Sequence, residues 1–192
     1  MKSDLILAGV GGQGIISIAA AIGMAALKKG YNMKQSEVHG MSQRGGAVQS
    51  HLRISSGEIA SDLIPLAAAD MIISVEPMES LRYLPWLSPE GWLVSSINPF
   101  INITNYPDIQ AILSEVRKTR NHLLVDAEML AKEAGSARSS NMVVLGAASV
   151  HLPIEINFFE SAIREMFIKK GEDIVSLNLK AFNLGRKQNL NL

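Results

Sequence analysis

Residues 4–9 carry Leu5, Ile6, Leu7 and Ala8 without polar interruption, the pattern of a strand buried on both faces. A glycine-rich turn follows. Residues 15–29 then repeat apolar side chains at helical spacing, and Gly30 is placed to close that helix. Ala19, Ala20, Ala21, Gly23, Ala25 and Ala26 keep it thin enough to lie close against a sheet, which is a packing feature and not chemistry. Residues 32–38 read as extended. Residues 47–54 alternate in part, with Val48, Ser50, Leu52 and Ile54 on one face and Gln49, His51 and Arg53 on the other. Further on, residues 70–75 form a short apolar run, Pro77 opens a helix over 77–84, and residues 91–97 read as a buried strand. Turn formers occupy 99–107, helical spacing covers 107–119, and a strand at 123–126 leads into a helix at 127–134. From residue 139 onward the pattern is helical, broken at Pro153 and Gly171.

Strands alternating with helices, then a helical remainder, predict an α/β fold. The expected architecture is a single domain over residues 1–192, three-layered and Rossmann-like, with a mostly parallel, partly mixed sheet and a helical C-terminal region. The mixed part is expected at residues 32–54, because two extended segments with no helix between them cannot be joined as a parallel crossover. No repeat, low-complexity tract or linker divides the chain.

Composition narrows the chemistry. The chain has 192 residues, 47% of them hydrophobic, enough for one good-sized core. Eighteen Lys and Arg balance eighteen Asp and Glu, and this zero net charge argues against a dedicated binder of nucleic acid or acidic membrane. There is no cysteine, which excludes disulfides, thiolate metal sites, Fe–S ligation and a cysteine nucleophile. Residues 5–27 lack any charge and follow Lys2, so their length would suit a membrane span or a secretion signal. Four glycines and Gln13 within 9–14 interrupt that stretch, and Asp4 stands where a signal peptide avoids acid. A cytoplasmic chain with no membrane association is the expectation.

Two loops carry candidate chemistry. Gly9-x-Gly11-x-x-Gly14 lies between a strand and a helix, where main-chain N–H groups and the positive end of the helix dipole receive phosphate. Glu37 lies near the position of the acid that grips a ribose in dinucleotide sites, which motivates an independent NAD(P)-dependent dehydrogenase as an alternative function. Against it, no second helix returns after Glu37. The glycines could equally serve only the tight turn. The second loop, His39-Gly40-Met41-Ser42-Gln43-Arg44-Gly45-Gly46, sets Arg44 beside two glycines, suited to holding a phosphate or carboxylate by paired donors. Other signals are bland. His39, His51, His122 and His151 are too scattered for metal-ligand spacing, Glu79 and Arg82 have ordinary ion-pair spacing, and Asn141 reads as the cap of an apolar helix over 142–150. No nucleophile elbow and no Gly-Lys-Ser/Thr phosphate loop is present, so no catalytic residue is assigned.

Taken together, Gly9-Val10-Gly11-Gly12-Gln13-Gly14, the loop His39 to Gly46 and Ser50-His51-Leu52-Arg53 resemble the gamma-type domain of the 2-oxoacid:ferredoxin oxidoreductases. The free-standing small subunit of the indolepyruvate-acting branch is the type it is most similar to. Glu76-Pro77-Met78-Glu79, Asn141 to Ala147, and Asn178 with Ala181, Phe182 and Gly185 agree in order, so the resemblance spans nearly the whole chain. It implies an accessory subunit with no cofactor of its own. Its large partner subunit carries thiamine diphosphate, magnesium and Fe–S clusters and passes electrons to ferredoxin, while the acyl group goes to coenzyme A. The lack of cysteine and of a Gly-Asp-Gly thiamine motif fits that division. The expected binding face joins Gly11, Gly12, Gln13 and Gly14 with Ser42, Gln43 and Arg44, and meets coenzyme A or the partner's thiamine site.

Overall fold

A computed structural model describes residues 1–40 and 45–190. Strand β1 (Lys2–Val10) is followed by helix α1 (Ile15–Lys28), then by β2 (Asn32–His39) and β3 (Ala47–Ser55). β4 (Ala69–Ser74) leads through α2 (Pro77–Arg82) to β5 (Leu87–Ser96), α3 (Ile109–Val116) and β6 (Asn121–Val125). Helices α4 (Ala127–Ala134), α5 (Ser140–Ser149), α6 (Ile156–Phe167) and α7 (Glu172–Leu190) complete the order.

The six strands form one sheet in the order β2-β3-β1-β4-β5-β6. β1, β4, β5 and β6 run parallel, and β3 runs antiparallel between β1 and β2. The mixed region lies where expected: β2 and β3 pair from Asn32↔Ser55 to His39↔Val48, joined by a loop and not by a helix. β1 lies in the middle of the sheet with every residue after Lys2 buried, which is why its sequence is an unbroken apolar run. Its alternate side chains feed two cores. Leu5 and Leu7 pack with α1 and α4–α7, whereas Ile6 and Ala8 pack with Tyr83 and Val116 on the opposite face. This makes three layers.

Several boundaries move for identifiable reasons. Gly30, at φ 85°, closes α1 as expected, its N–H donating to Leu27 O at 2.9 Å while Tyr31 N donates to Ala26 O. α2 stops at Arg82 because Tyr83 and Pro85 turn the chain into a 3-10 segment, Leu84–Trp86. α3 starts at Ile109, where Asp108 accepts from Ala111 N at 2.9 Å. Asn141 is not the cap of α5: the helix begins at Ser140, and Asn141 sits inside its first turn.

α5 is buried all round and crosses α7 at main-chain contact. A Cβ on Gly146 would stand 1.9 Å from Phe182 O, and one on Gly185 would stand 1.9 Å from Val143 O. Two glycines, one per helix, permit the crossing. The result locks the C-terminal helices onto the face of the sheet that also carries α1. The carboxyl ends of β1, β4, β5 and β6 therefore share one edge of the sheet, the edge at which ligands bind in open α/β folds.

Candidate functional site

The glycine turn is built by its own residues. Gln13 reaches back so that its Oε1 accepts from Val10 N at 2.8 Å, and its main-chain N donates to Val10 O at 3.1 Å. Gly14 precedes α1 at φ 83°, a left-handed conformation, and its carbonyl accepts from Ser17 N, Ile18 N and Asn141 Nδ2. A Cβ at Gly14 would lie 2.4 Å from Asn141 Nδ2. Gly12, at φ 101°, has nothing within 4 Å of where a Cβ would be, so its bare main chain faces open space.

The second loop meets the first. Gly11 N donates to Gly46 O at 2.8 Å and Gly45 N donates to Gly11 O at 3.3 Å, so the turn and the end of the β2–β3 loop are laced together. This assigns Gly11 a structural use, since its N–H is already engaged. The amides of Gly12 and Gly14 have no acceptor among the described residues. Ser42, Gln43 and Arg44 lie outside the described residues; Gly45, after them, adjoins the turn, whereas Gly40, before them, donates to Ala47 O at 2.9 Å.

Glu37 does not take the ribose-gripping place. It lies on edge strand β2, separated from β1 by β3, and its carboxylate pairs with His39 Nε2 at 2.6 Å. The expectation fails because the antiparallel β3 occupies the slot beside β1 that a dinucleotide fold gives to its second parallel strand.

A third loop, between β5 and α3, joins the edge. Asn102 Nδ2 donates to Gly45 O at 2.5 Å. Fully buried Glu76 caps α2 by accepting from Glu79 N at 2.8 Å, and its other oxygen accepts from Phe100 N and the Tyr106 hydroxyl. Burial, and then the Glu76 carboxylate, push the Tyr106 hydroxyl well above its ordinary range, so it stays a donor. Asn98 bridges Ser96 and Asp126, the latter capping α4. The Glu79–Arg82 ion pair is present at 2.9 Å; burial raises the Glu79 carboxyl and Arg82 opposes that shift. Sequence reading missed Asn98, Asn102 and Tyr106, because they act on loops with no periodicity to reveal them. Their only signal was the cluster of turn formers.

Cavities flank the glycine turn on two sides. One, of about 320 Å³, is lined by Gly11, Gly12, Ile16, His39 and Val48; the other, of about 400 Å³, opens toward α7. The same end of the molecule bears exposed apolar residues: Ile16, Val38, Phe100, Ile103 and Ile101, the last 71% exposed. Elsewhere His51 Nδ1 accepts from Ile64 N, and His151 stacks on Trp92 with ring centroids 3.7 Å apart. Burial lowers the pKa of both. Among the described residues, no three His, Cys, Asp or Glu gather as metal ligands, and no helix is long and apolar enough to cross a membrane.

Residues 4–188 match the sequence profile of the pyruvate ferredoxin/flavodoxin oxidoreductase family. The chain is 36% identical to the indolepyruvate oxidoreductase subunit IorB of Archaeoglobus fulgidus, over 98% of this chain and 96% of that one. It is 37% identical to the IorB subunit of Methanothermobacter thermautotrophicus, over 96% of each. In fold it is similar to the 2-oxoglutarate:ferredoxin oxidoreductase of Magnetococcus marinus, solved with 2-oxoglutarate, coenzyme A and succinyl-CoA bound, with a TM-score of 0.81 and 26% identity. That likeness covers all of this chain but only 31% of the longer Magnetococcus chain.

Proposed function

The chain belongs to the pyruvate ferredoxin/flavodoxin oxidoreductase family, and on that premise we propose that it is the accessory subunit of an indolepyruvate:ferredoxin oxidoreductase. The observation that carries the substrate class is the end-to-end likeness to two subunits of indolepyruvate oxidoreductases. The reaction is oxidative decarboxylation of an aryl pyruvate to its acyl-coenzyme A, with ferredoxin as acceptor, in the cytoplasm. A large partner subunit supplies thiamine diphosphate, magnesium and Fe–S clusters. This chain has no cysteine with which to ligate a cluster.

The role of this chain is to complete the active site at the sheet edge. Gly12 and Gly14 present amides with no acceptor among the described residues, and Gly12 an uncovered main chain, at the start of α1, where the helix dipole favours an anion. Gln13 holds that turn in shape, and Asn141 fixes Gly14 from behind. Ser42, Gln43 and Arg44, which precede Gly45 in the sequence, are the further donors of this reading. Together they contact coenzyme A as it approaches the partner's centre. The exposed apolar residues Phe100, Ile101 and Ile103, on the loop held by Glu76 and Asn102, support a partner seated against this end of the molecule.

A dinucleotide-dependent dehydrogenase keeps the glycine turn in its favour, but the place of Glu37 on the edge strand counts against it. Recovery of the tagged chain from its native cells tests the choice. A large cysteine-rich partner that brings 2-oxoacid- and coenzyme A-dependent dye reduction supports the subunit; a solitary chain stabilised by NAD or NADP supports the dehydrogenase.

A further inference from the structure

Gly45 stands between two loops that the proposed function uses for different purposes. Its N–H donates to Gly11 O in the glycine turn at 3.3 Å, and its carbonyl accepts at 2.5 Å from Asn102 Nδ2 in the loop between β5 and α3. The backbone of Gly45 is left-handed, φ 80°, and a Cβ there would lie 3.5 Å from Asn102 Nδ2. Gly11 N completes the junction by donating to Gly46 O at 2.8 Å. One side chain thus ties this junction to a loop 57 positions away in sequence. The rest of that loop is anchored elsewhere. Phe100 N and the Tyr106 hydroxyl both donate to the buried carboxylate of Glu76, at the start of α2. Between those anchors Ile101 and Ile103 flank Asn102 and turn to solvent, 71% and 43% exposed. Phe100 and Gln13 line one small cavity of about 80 Å³, a second place where the loop and the glycine turn meet. The side chain that reaches Gly45 therefore lies in the middle of the exposed apolar stretch.

A hydrogen bond made by an exposed loop contributes little while water competes for both of its groups. A protein that covers Ile101 and Ile103 removes that competition, and the bond from Asn102 to Gly45 O strengthens in the drier surroundings. We propose that Asn102 is a positioning residue through which a protein seated on Phe100, Ile101 and Ile103 sets the Gly45–Gly11 junction, so that docking there and ligand binding at the glycine turn strengthen each other. Asn102 acts through Gly45 and needs no contact with the ligand. The inference rests on the function proposed above, which supplies the large subunit as the protein and coenzyme A as the ligand. The coupling is reciprocal: the factor that the large subunit adds to the affinity for coenzyme A is the factor that coenzyme A adds to the affinity for the large subunit. An amide is needed at 102 because the task is to donate to a carbonyl. Aspartate has nearly the same shape but, when ionised, only accepts.

The test titrates the large subunit with this chain in a calorimeter, with and without saturating coenzyme A, for wild type, Asn102→Ala and Asn102→Asp. Position 102 is exposed, so neither substitution touches the core. In wild type, coenzyme A tightens the complex at least about fivefold, the lower end of coupling between linked sites. In both variants that factor falls to about one. The KM of the complex for coenzyme A rises in step, and the KM for the 2-oxoacid stays unchanged. A side chain that merely stabilised its own loop would shift the affinity equally with and without coenzyme A, leaving the ratio intact, so the ratio decides. A wild-type complex indifferent to coenzyme A, or variants that keep the wild-type factor, overturns the positioning role and leaves the proposed function standing. If the two proteins associate under neither condition, the proposed function fails and this inference fails with it.

Discussion

The side-chain amide of Asn141, in the first turn of α5, donates to the main-chain oxygen of Gly14 at 3.2 Å, joining residues 127 positions apart. The contact explains why a glycine stands at 14 for two reasons at once. The backbone there is left-handed, and a Cβ would collide with the Asn141 amide. It also means that the shape of the glycine turn depends on the placement of α5, and through α5 on the glycine crossing with α7.

The turn therefore divides by residue. Gly14→Ala adds a collision to an unfavourable φ and is expected to destabilise more than Gly12→Ala, which meets only the cost of the left-handed backbone, about 1–2 kcal/mol. Asn141→Ala should cost about 1 kcal/mol, since Gly14 O keeps its two helix donors. Chemical denaturation of the three variants gives the order. Of these, Gly12→Ala should also raise the KM for coenzyme A, because the new methyl stands on the open face. Arg44→Ala should raise the same KM or weaken assembly with the large subunit; normal kinetics and normal assembly would remove Arg44 from the site.

At the α5–α7 crossing, Gly146→Ala and Gly185→Ala each place a methyl against a main-chain oxygen that cannot turn aside. Each is expected to cost about 1–3 kcal/mol despite the better helix propensity of alanine. Either substitution forces the same widening of the helix pair, so the double variant should fall short of the sum. Urea denaturation of the two single variants and the double variant measures this directly.

Much of the fold was legible because it follows from local pattern. The buried run at Leu5 to Ala8, the small-residue face of α1, the stop at Gly30 and the helix 127–134 all depend on neighbours in sequence. The mixed sheet was legible from the missing crossover between residues 38 and 47. The site was only half legible: Gly11 to Gly14 stood out as a motif, yet Asn141 looked like a cap, and Asn98, Asn102 and Tyr106 gave no sign of what they hold. Each of these acts on a residue far away in sequence, as Tyr106 does on Glu76, so nothing in the local pattern could reveal it. Glu37 misled for the same reason, because whether it stands near the turn depends on which strand lies between.

Acid sensitivity follows from buried His51 and half-buried His151. Burial holds His51 and His151 neutral and depresses their pKa values below the ordinary 6.5, with Asp62 opposing the shift at His51 and Asn189 opposing it at His151. A histidine depressed in the folded state contributes stability that is fully present above the unfolded value and is lost as pH falls through the folded value. Tm should therefore drop between about pH 7 and about pH 5, before most carboxylates titrate. His151→Phe, which keeps the stack on Trp92, should flatten part of that slope, and an unchanged slope would show that His151 does not contribute.

The loop between β5 and α3 presents Ile101 to solvent, between Phe100, whose N donates to Glu76, and Asn102, whose side chain donates to Gly45 O. Ile101→Asp should leave the unfolding free energy of the isolated chain within about 0.5 kcal/mol of wild type, as for other exposed sites. It should nevertheless weaken binding to the large subunit severely, because a charge would be buried at the interface. Analytical ultracentrifugation of mixtures separates the two effects; equal assembly by wild type and variant would place the interface elsewhere.

The central claim is that this chain completes an enzyme whose cofactors reside on another subunit. The most direct measurement is ferredoxin reduction by indolepyruvate and coenzyme A, using the purified large subunit with and without this chain. Turnover that needs both subunits and saturates at one chain per large subunit is the predicted result. A large subunit that turns over equally well alone, or a mixture that stays inactive with every 2-oxoacid while this chain is stabilised by NAD, would contradict it.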